Sequence, residues 1–203
     1  MFFSFDGIDG VGKTTQMQLF CQWLAEGDYE VVSCRDPGST SLGEQVREIL
    51  LTSDSNTPID SCSEMLLYMA ARAQLVEQII RPALEADKQV VSDRFLLANV
   101  VYQGYAGGLE IEAVREVGRV ATDGLMPDCT FLLDMDPAAA KGRLGRELDR
   151  VESRGESYRQ RLRTGFLQEA KHLGDSVHLI DANRPVDDIQ AELRAIAKQL
   201  LTG

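Results

Sequence analysis

Short apolar runs and longer segments of helical spacing alternate along the chain. Five runs rich in β-branched and aromatic residues predict strands at 2–6, 30–34, 89–92, 129–134 and 176–180. Apolar residues at every third or fourth position predict helices at 13–26, 42–51, 61–86, 95–102, 110–122, 137–144, 165–173 and 186–201. Strands separated by helices pair in parallel through crossover connections. The pattern therefore predicts an α/β fold, with three layers (α/β/α) around a five-stranded, doubly wound parallel sheet.

Local signals add detail to the predicted helices. Ser61 and Glu64 have the spacing of a capping box at the start of the 61–86 helix. Pro82 is expected to bend that helix or to restart a turn. Residues 53–60 and 104–108 are rich in polar residues and glycine and predict loops. In a doubly wound sheet, ligands bind beyond the carboxyl ends of the strands, so the residues after each strand are the first candidates for a site.

Composition narrows the class of protein. The chain has 203 residues, 44% of them hydrophobic, which suits one domain, 1–203. Its net charge of −11 argues against nucleic-acid and membrane partners, because both favour a basic surface. No apolar run approaches the ~20 residues of a membrane span. The four cysteines form no C-x-x-C pair, which argues against a cysteine metal site and favours reduced thiols in a cytoplasmic protein.

The most specific motif is GIDGVGKT at 7–14, which matches the phosphate-binding pattern G-x-x-x-x-G-K-[ST] between a predicted strand and a helix. Its glycines let successive N–H groups point inward, and the following helix adds its positive end. In this geometry Lys13 reaches the β- and γ-phosphates, and the Thr14 hydroxyl is placed to ligate Mg²⁺. A glycine-rich turn is the alternative. The motif alone leaves ATPases, kinases and nucleotide-binding modules open, while the N-K-x-D of GTPases is absent from the sequence.

Charged residues follow two other predicted strands. Arg35 begins RDPGST, and Asp93 and Arg94 begin DRF. We expect the two arginines to clamp a monoester phosphate through charge-assisted forks, with ordinary surface ion pairs as the alternative. Asp93 ends an apolar strand as a Walker-B carboxylate does, so it is a candidate to hold Mg²⁺ or to orient Arg94.

These motifs, together with LLYMAARAQL at 66–75 and ELDRVE at 147–152, resemble those of thymidylate kinases, P-loop enzymes that transfer a phosphoryl group from ATP to dTMP. The resemblance extends from the P-loop to VHLIDANRP at 177–185. It implies a P-loop nucleoside monophosphate kinase fold with a mobile lid at about 141–158. It also implies ATP and dTMP as substrates, Mg²⁺ as cofactor, a homodimer, and a role in dTTP biosynthesis.

The resemblance implies roles at the dTMP site. Asp9 would accept from the sugar 3′-hydroxyl, and Tyr102 would crowd the 2′ position against ribonucleotides. Tyr68 would stack on thymine, where most relatives have Phe, while Arg72 would hydrogen-bond a base carbonyl and Asn99 would read the ring N–H. Without the resemblance, Tyr68 could equally be core or rim, and Tyr102 would be interpreted as packing.

The charged stretch after the fourth predicted strand matches the lid of the family. Gly10 stands where some relatives carry a catalytic arginine, and relatives with glycine there supply the arginine from the lid. Arg146 and Arg150 are therefore the preferred catalytic arginines, and Arg143 is a third candidate and an ATP contact. A solvated helix face is the alternative for such alternating charges. The expected catalytic set is Lys13, Arg94, Arg146, Arg150 and Asp9.

The expected ATP contacts are Gly7, Ile8, Asp9, Gly10, Val11, Gly12, Lys13, Thr14, Thr15, Arg143 and Asn183. Asn183 is included because relatives hold the adenine near the segment after the last strand. Glu152 and Tyr158 match acidic and aromatic positions of the lid. The sequence departs from the family at 105–108, which lacks a basic residue that is common there.

Overall fold

The computed structural model describes residues 1–52, 58–143 and 155–202. Within them, five strands form one sheet: β1 (Phe2–Asp6), β2 (Val31–Arg35), β3 (Gln89–Asp93), β4 (Cys129–Asp134) and β5 (Val177–Asp181). Their order is β2-β3-β1-β4-β5, and every neighbouring pair is parallel. The predicted α/β fold with a five-stranded parallel sheet is confirmed. No strand limit differs from the sequence prediction by more than one residue.

Helices connect these strands. They are α1 (Lys13–Glu26), α2 (Ser41–Thr52), α3 (Ser61–Leu75), α4 (Arg81–Glu85), α5 (Leu96–Asn99), α6 (Ile111–Thr122), α7 (Pro137–Gly142), α8 (Glu156–Leu173) and α9 (Val186–Thr202). A π-helical segment, Val76–Ile80, joins α3 to α4, and a second one, Val100–Tyr105, extends α5. In the described part of the chain, no helix combines the length and the apolar character needed to span a membrane.

The helices differ from the sequence prediction in three places. A π-helical segment precedes Pro82, which lies at the start of α4, where its missing N–H is tolerated. The helix after β3 continues through its π segment to Tyr105, into the predicted 104–108 loop. Finally, α8 begins at Glu156 instead of residue 165, because the polar composition of its first half hides the apolar spacing.

The start of α3 also corrects a prediction. Asp60 is the N-cap, and its carboxylate accepts from the Cys62 N–H at 2.9 Å. Glu64 is buried and accepts from Gln103 Nε2 at 2.9 Å. The predicted Ser61–Glu64 capping box is therefore wrong, because another helix supplies a buried partner for the Glu64 carboxylate.

Phenylalanines on β1 are covered from both faces of the sheet. Successive residues of a strand point to opposite faces. Phe2 meets Phe95 edge-on with ring centroids 4.9 Å apart, whereas Phe3 meets Phe20 of α1 at 5.2 Å. Phe5 points the same way as Phe3 and also contacts Phe20. The central strand is thereby buried between two layers, which fixes the position of its carboxyl end.

All four cysteines are free thiols. Burial raises the pKa of Cys34 and of Cys129 to about 12. These two thiols therefore stay protonated at neutral pH and behave as small apolar side chains.

Candidate active site

The loop between β1 and α1 requires glycine at two positions. Gly7 has a φ of 134°, and a Cβ atom there would lie 2.3 Å from the Leu133 carbonyl oxygen of β4. Gly12, the N-cap of α1, has a φ of 94° and provides no side-chain cap. The N–H groups of the first turn of α1 thus have no capping side chain, which is the arrangement that binds phosphate.

Lys13 lies folded back over this loop. Its ammonium group donates to the carbonyls of Gly7 at 3.1 Å and Ile8 at 2.9 Å. It also lies 3.4 Å from an Asp9 carboxylate oxygen. Burial, aided by repulsion from Arg94, lowers the pKa of Lys13. Neutral carbonyls satisfy an ammonium group less well than anions do, so a polyphosphate entering the loop offers Lys13 a stronger partner.

Arg94 connects the end of β3 to the same loop. Its φ of 68° is a left-handed conformation that is uncommon outside glycine. Its guanidinium donates to the Gly7 carbonyl at 2.8 Å and to Asp9 Oδ1 at 2.5 Å. The Tyr102 hydroxyl accepts from this guanidinium at 3.2 Å and donates to Asp9 Oδ2 at 3.1 Å. Burial alone would raise the pKa of Asp9, but the charges of Arg94 and Lys13 lower it well below its usual range.

A cavity of about 620 Å³ opens beside the loop. It is lined by Asp9, Gly10, Gly12, Lys13, Thr14, Thr15, Arg35, Asp36, Arg47, Asp93, Arg94 and Arg143. Phe5 of β1 and Arg35 of β2 are both register partners of Asp93 in β3, so the three strands end at one level. For this reason Lys13, Arg35 and Arg94, which are distant in sequence, line one space.

Arg47, on α2, lines the cavity although the sequence did not predict it. Its guanidinium donates to the Pro37 carbonyl at 3.0 Å, and burial lowers its pKa. Glu44, also on α2, pairs with the exposed Arg35 at 2.7 Å. Helix α2 therefore supplies Arg47 to the cavity and, through Glu44, holds Arg35 in place. The signal that could have found Arg47 is its position on the helix that follows RDPGST.

Five side chains form what we call the buried polar network, which begins at Asp36 on the cavity wall: Asp36, Arg72, Asn99, Gln103 and Glu64. Arg72 Nε donates to Asp36 Oδ2 at 2.5 Å, and Arg72 Nη1 donates to Asn99 Oδ1 at 2.8 Å. Asn99 Nδ2 donates to Gln103 Oε1 at 2.6 Å, and Gln103 Nε2 donates to Glu64 Oε1 at 2.9 Å. All five side chains are buried. Burial raises the pKa of Asp36 against the opposing charge of Arg72.

Of the five residues predicted around the thymine and the sugar, Asp9 lines the cavity described above, but the other four do not: Tyr68, Arg72, Asn99 and Tyr102. Arg72 and Asn99 meet in the buried polar network, and Arg72 also lies over the Phe95 ring at 5.5 Å from its centroid. Tyr102 joins Asp9 and Arg94. Tyr68 is half-buried and packs against the cluster formed by Val46, Leu50 and Ala71.

On the far side of the cavity, Arg143 donates to the Ala182 carbonyl at 3.2 Å. Asn183 is exposed, and its N–H and side-chain amide donate to Asp181 at 2.9 and 2.7 Å. Tyr158 is buried near the start of α8. Arg146, Arg150 and Glu152 lie outside the described residues.

The donors suited to Mg²⁺ are the exposed Thr14 hydroxyl and the carboxylates of Asp93 and Asp9, all at the cavity wall. Over 1–52, 58–143 and 155–202, no group of three or more His, Cys, Asp or Glu could hold a metal ion. Mg²⁺ commonly binds through one or two carboxylates together with substrate phosphates and water. The residues present therefore fit an ion that arrives with a nucleotide.

Asp6 lies beneath the loop, and the sequence did not single it out. It is fully buried at the end of β1, and its Oδ2 accepts from Ser4 Oγ at 3.0 Å. Its Oδ1 has no hydrogen-bond partner among the described residues. Burial raises the pKa of Asp6 to about 7, although Arg94 and Lys13 act in the opposite direction.

A phosphate-binding loop whose lysine shares one cavity with several arginines, at the carboxyl edge of a doubly wound sheet, defines a P-loop phosphotransferase. The family model described as thymidylate kinase matches residues 5–193, and the chain belongs to the thymidylate kinase family. It is an enzyme that phosphorylates dTMP.

Individual relatives agree with this assignment. A thymidylate kinase of Exiguobacterium sibiricum is 42% identical over 203 residues, which cover 99% of this chain and 94% of that protein. One from Symbiobacterium thermophilum is 41% identical over 202 residues, with 99% and 94% covered. The crystal structure of thymidylate kinase from Ehrlichia chaffeensis superposes with a TM-score of 0.79 at 32% identity and covers 98% of both chains.

Proposed function

We propose that ATP binds on the P-loop and that dTMP binds across the cavity from it, so that the γ-phosphate and the 5′-phosphate meet among the lining arginines. The observation that carries this proposal is the single cavity shared by Lys13, Arg35 and Arg94. Two phosphate groups that approach each other repel, and preorganised cations from separate segments offset that repulsion. Transfer is in line, and the dianionic acceptor needs no strong general base.

In this proposal Arg35 and Arg94 hold the 5′-phosphate of dTMP, and Arg47 adds a third guanidinium. An exposed ion pair such as Arg35–Glu44 is weak, so a phosphate dianion competes for Arg35 at little cost. Asp9, already ionised and fixed by Arg94, accepts from the 3′-hydroxyl, and Tyr102 closes the space beside the sugar 2′ carbon.

The thymine is assigned to the side of the buried polar network. Arg72 donates to a base carbonyl, Asn99 accepts from the ring N–H, and Tyr68 stacks on the ring. The proposal is supported by the 2.8 Å bond between Arg72 and Asn99, which keeps a donor and an acceptor side by side. A pyrimidine with a carbonyl next to a ring N–H matches that pair.

On the ATP side, Thr14 and Asp93 would hold Mg²⁺, with Arg143 and Asn183 towards the adenine. The ion, when bound, neutralises charge on the phosphates. Lys13 turns from the loop carbonyls to the β- and γ-phosphates. The lid segment at 141–158 closes over the nucleotides, supplies the catalytic arginine from Arg146 or Arg150, and excludes water.

A steady-state assay with ATP tests the acceptor. We expect dTMP to be preferred over dUMP, dGMP, AMP and thymidine. The 5-methyl group alone supplies about 1–3 kcal/mol, so dUMP should be used about 10–200 times less efficiently. Equal or better use of another acceptor would contradict the assignment.

A pair of variants tests the phosphate clamp. Arg35→Met should lower kcat/KM for dTMP by roughly 10–100-fold and leave KM for ATP unchanged, because a charge-assisted contact to the acceptor phosphate is lost. Arg119→Met, on the exposed surface of α6, is the matched control. If both variants kept wild-type kinetics, Arg35 would have no part in dTMP binding.

We also infer a homodimer and a cytoplasmic role in dTTP synthesis. Helices α2 and α3 pack together and expose Leu42, Ile49 and Leu66 by 44%, 50% and 50%. Large exposed apolar side chains on adjacent helices mark interaction surfaces. Light scattering should give the mass of a dimer for the wild type and of a monomer for the double variant Ile49→Glu/Leu66→Glu. The control Leu179→Glu, at an exposed position of β5, should remain a dimer. A monomeric wild type would refute the proposal.

A further inference from the structure

We infer that Glu64 is a positioning residue for base selection: its carboxylate fixes the direction of hydrogen bonding along the buried polar network, so that Asn99 offers an acceptor to the base. The inference rests on the proposed thymine site. Glu64 lies eight residues before Arg72 on α3, and Asn99 and Gln103 lie four apart on α5 and its π segment. Helix α3 therefore holds Glu64 and Arg72, the two ends of this part of the network, and α5 with its π segment holds the two amides between them.

The two ends differ in hydrogen-bonding character. Arg72 can only donate, and the Glu64 carboxylate oxygen accepts from Gln103. Gln103 must then direct its NH₂ to Glu64, which turns its carbonyl to Asn99. Asn99 must in turn direct its NH₂ to Gln103, which leaves Oδ1 for Arg72. The observed bonds at 2.9, 2.6 and 2.8 Å follow this single direction.

Burial makes the direction strict. Glu64 and Gln103 are each 1% exposed, and Asn99 is 3% exposed, so bulk water is in no position to compensate a mismatched group. If both amides turned over, two donors would meet at Arg72 and two acceptors would meet at Glu64. Arg72 therefore holds Asn99 Oδ1 directly, and Glu64, by fixing the Gln103 amide, holds Asn99 Nδ2 from the other end.

The consequence concerns the base edge. Asn99 Oδ1 has two lone pairs, and Arg72 uses one. The second accepts from the N3–H of thymine or uracil but faces the N3 lone pair of cytosine. A fixed Asn99 amide therefore selects 4-oxo pyrimidines over 4-amino pyrimidines, and Glu64 contributes to that selection without touching the base.

The experiment compares kcat/KM for dTMP and for 5-methyl-dCMP, which share sugar, phosphate and methyl group and differ only at N3 and the 4-substituent. Glu64→Gln keeps the shape but can donate, so the preference for dTMP should fall about tenfold while KM for ATP stays constant. Glu64→Asp keeps a carboxyl group, so the preference should stay within about twofold of wild type even if the melting temperature falls.

A packing role for Glu64 gives the reverse pattern, in which Glu64→Gln keeps the preference and Glu64→Asp loses it, and that result would overturn the inference. Asn99→Leu separates this failure from a failure of the proposed site. If Asn99→Leu changes the preference and Glu64→Gln does not, only the inference about Glu64 is wrong. If Asn99→Leu, folded by its melting curve, leaves the preference unchanged, the thymine assignment itself is wrong.

Discussion

Asp6 offers a quantitative test of the electrostatics beneath the P-loop. Burial raises its pKa from the ordinary 3.8 to about 7, against the charges of Arg94 and Lys13. In the unfolded chain its pKa returns to the ordinary value, so the folded protein binds this proton more tightly. The stability that the protonated group provides is therefore fully present below about pH 4 and is lost as pH rises through 7.

The size of the effect follows from the two pKa values. The interval from 3.8 to about 7 corresponds to about 4 kcal/mol, at 1.36 kcal/mol per pKa unit. Of this, about 3 kcal/mol falls between pH 5 and pH 8. Asp6→Asn keeps the shape and removes the ionisation. The free energy of unfolding of this variant, relative to wild type, should therefore rise by about 3 kcal/mol over that range.

Urea unfolding of both proteins at pH 5, 6, 7 and 8 measures this difference. Burial also raises the pKa of Asp36, so Asp36 adds its own pH dependence to the free energy of unfolding. This contribution is the same in both proteins and cancels when the variant is compared with wild type at each pH. Asp9→Asn is the matched control, because the pKa of Asp9 is lowered and that carboxylate is ionised in both states throughout the range. A difference for Asp6→Asn as flat as for Asp9→Asn would refute the reasoning, and Asp6 would then be an ionised partner of the nearby cations.

Three further variants test buried contacts of the fold. Gly7→Ala should lower the free energy of unfolding by more than about 2 kcal/mol and raise KM for ATP, because the new Cβ would lie 2.3 Å from the Leu133 carbonyl. Phe20→Ala, at a fully buried position, should lower the urea midpoint by an amount equivalent to about 3–5 kcal/mol. Glu169→Ala should lower the free energy of unfolding by about 2 kcal/mol, because it removes a buried carboxylate that accepts from Arg115 at 2.6 Å, while Arg115 keeps Glu112 as a partner.

Each packing variant has a control at a permissive position. Gly142→Ala adds a Cβ that meets nothing within 4 Å, Val120→Ala truncates a residue that is 74% exposed, and Glu77→Ala removes a solvent-exposed partner of Arg81. Each control should change stability by less than about 0.5 kcal/mol. Losses equal to those of the test variants would contradict the packing argument.

The strands and the P-loop could be predicted because their signals are local. A short apolar run that ends in GIDGVGKT contains the signals for a strand, a turn and a helix in one stretch of sequence. The parallel register of β2 and β3 then brings Arg35 and Arg94 to the carboxyl edge of the sheet. The capping box at Glu64 failed because its true partner, Gln103, comes from another helix.

Asp6 and Arg47 show a second limit of the sequence. Asp6 has the position of an ordinary last strand residue, and only the folded chain reveals that it is buried with one unpartnered oxygen among the described residues. Arg47 occurs within an amphipathic helix, where a charged residue normally faces solvent. Packing of α2 beside the RDPGST turn directs it to the cavity instead.

The Gly7 carbonyl oxygen accepts from Lys13 at 3.1 Å and from Arg94 at 2.8 Å. A carbonyl oxygen has two lone pairs, so these two donors use it completely. When either cation is removed, the Gly7 carbonyl oxygen binds the remaining one more strongly. Substitutions of Lys13 and Arg94 are therefore not independent, and we expect the double variant to lose less activity than the two single losses multiplied together. Through one main-chain atom, the cation proposed for ATP is thus coupled to the one proposed for dTMP.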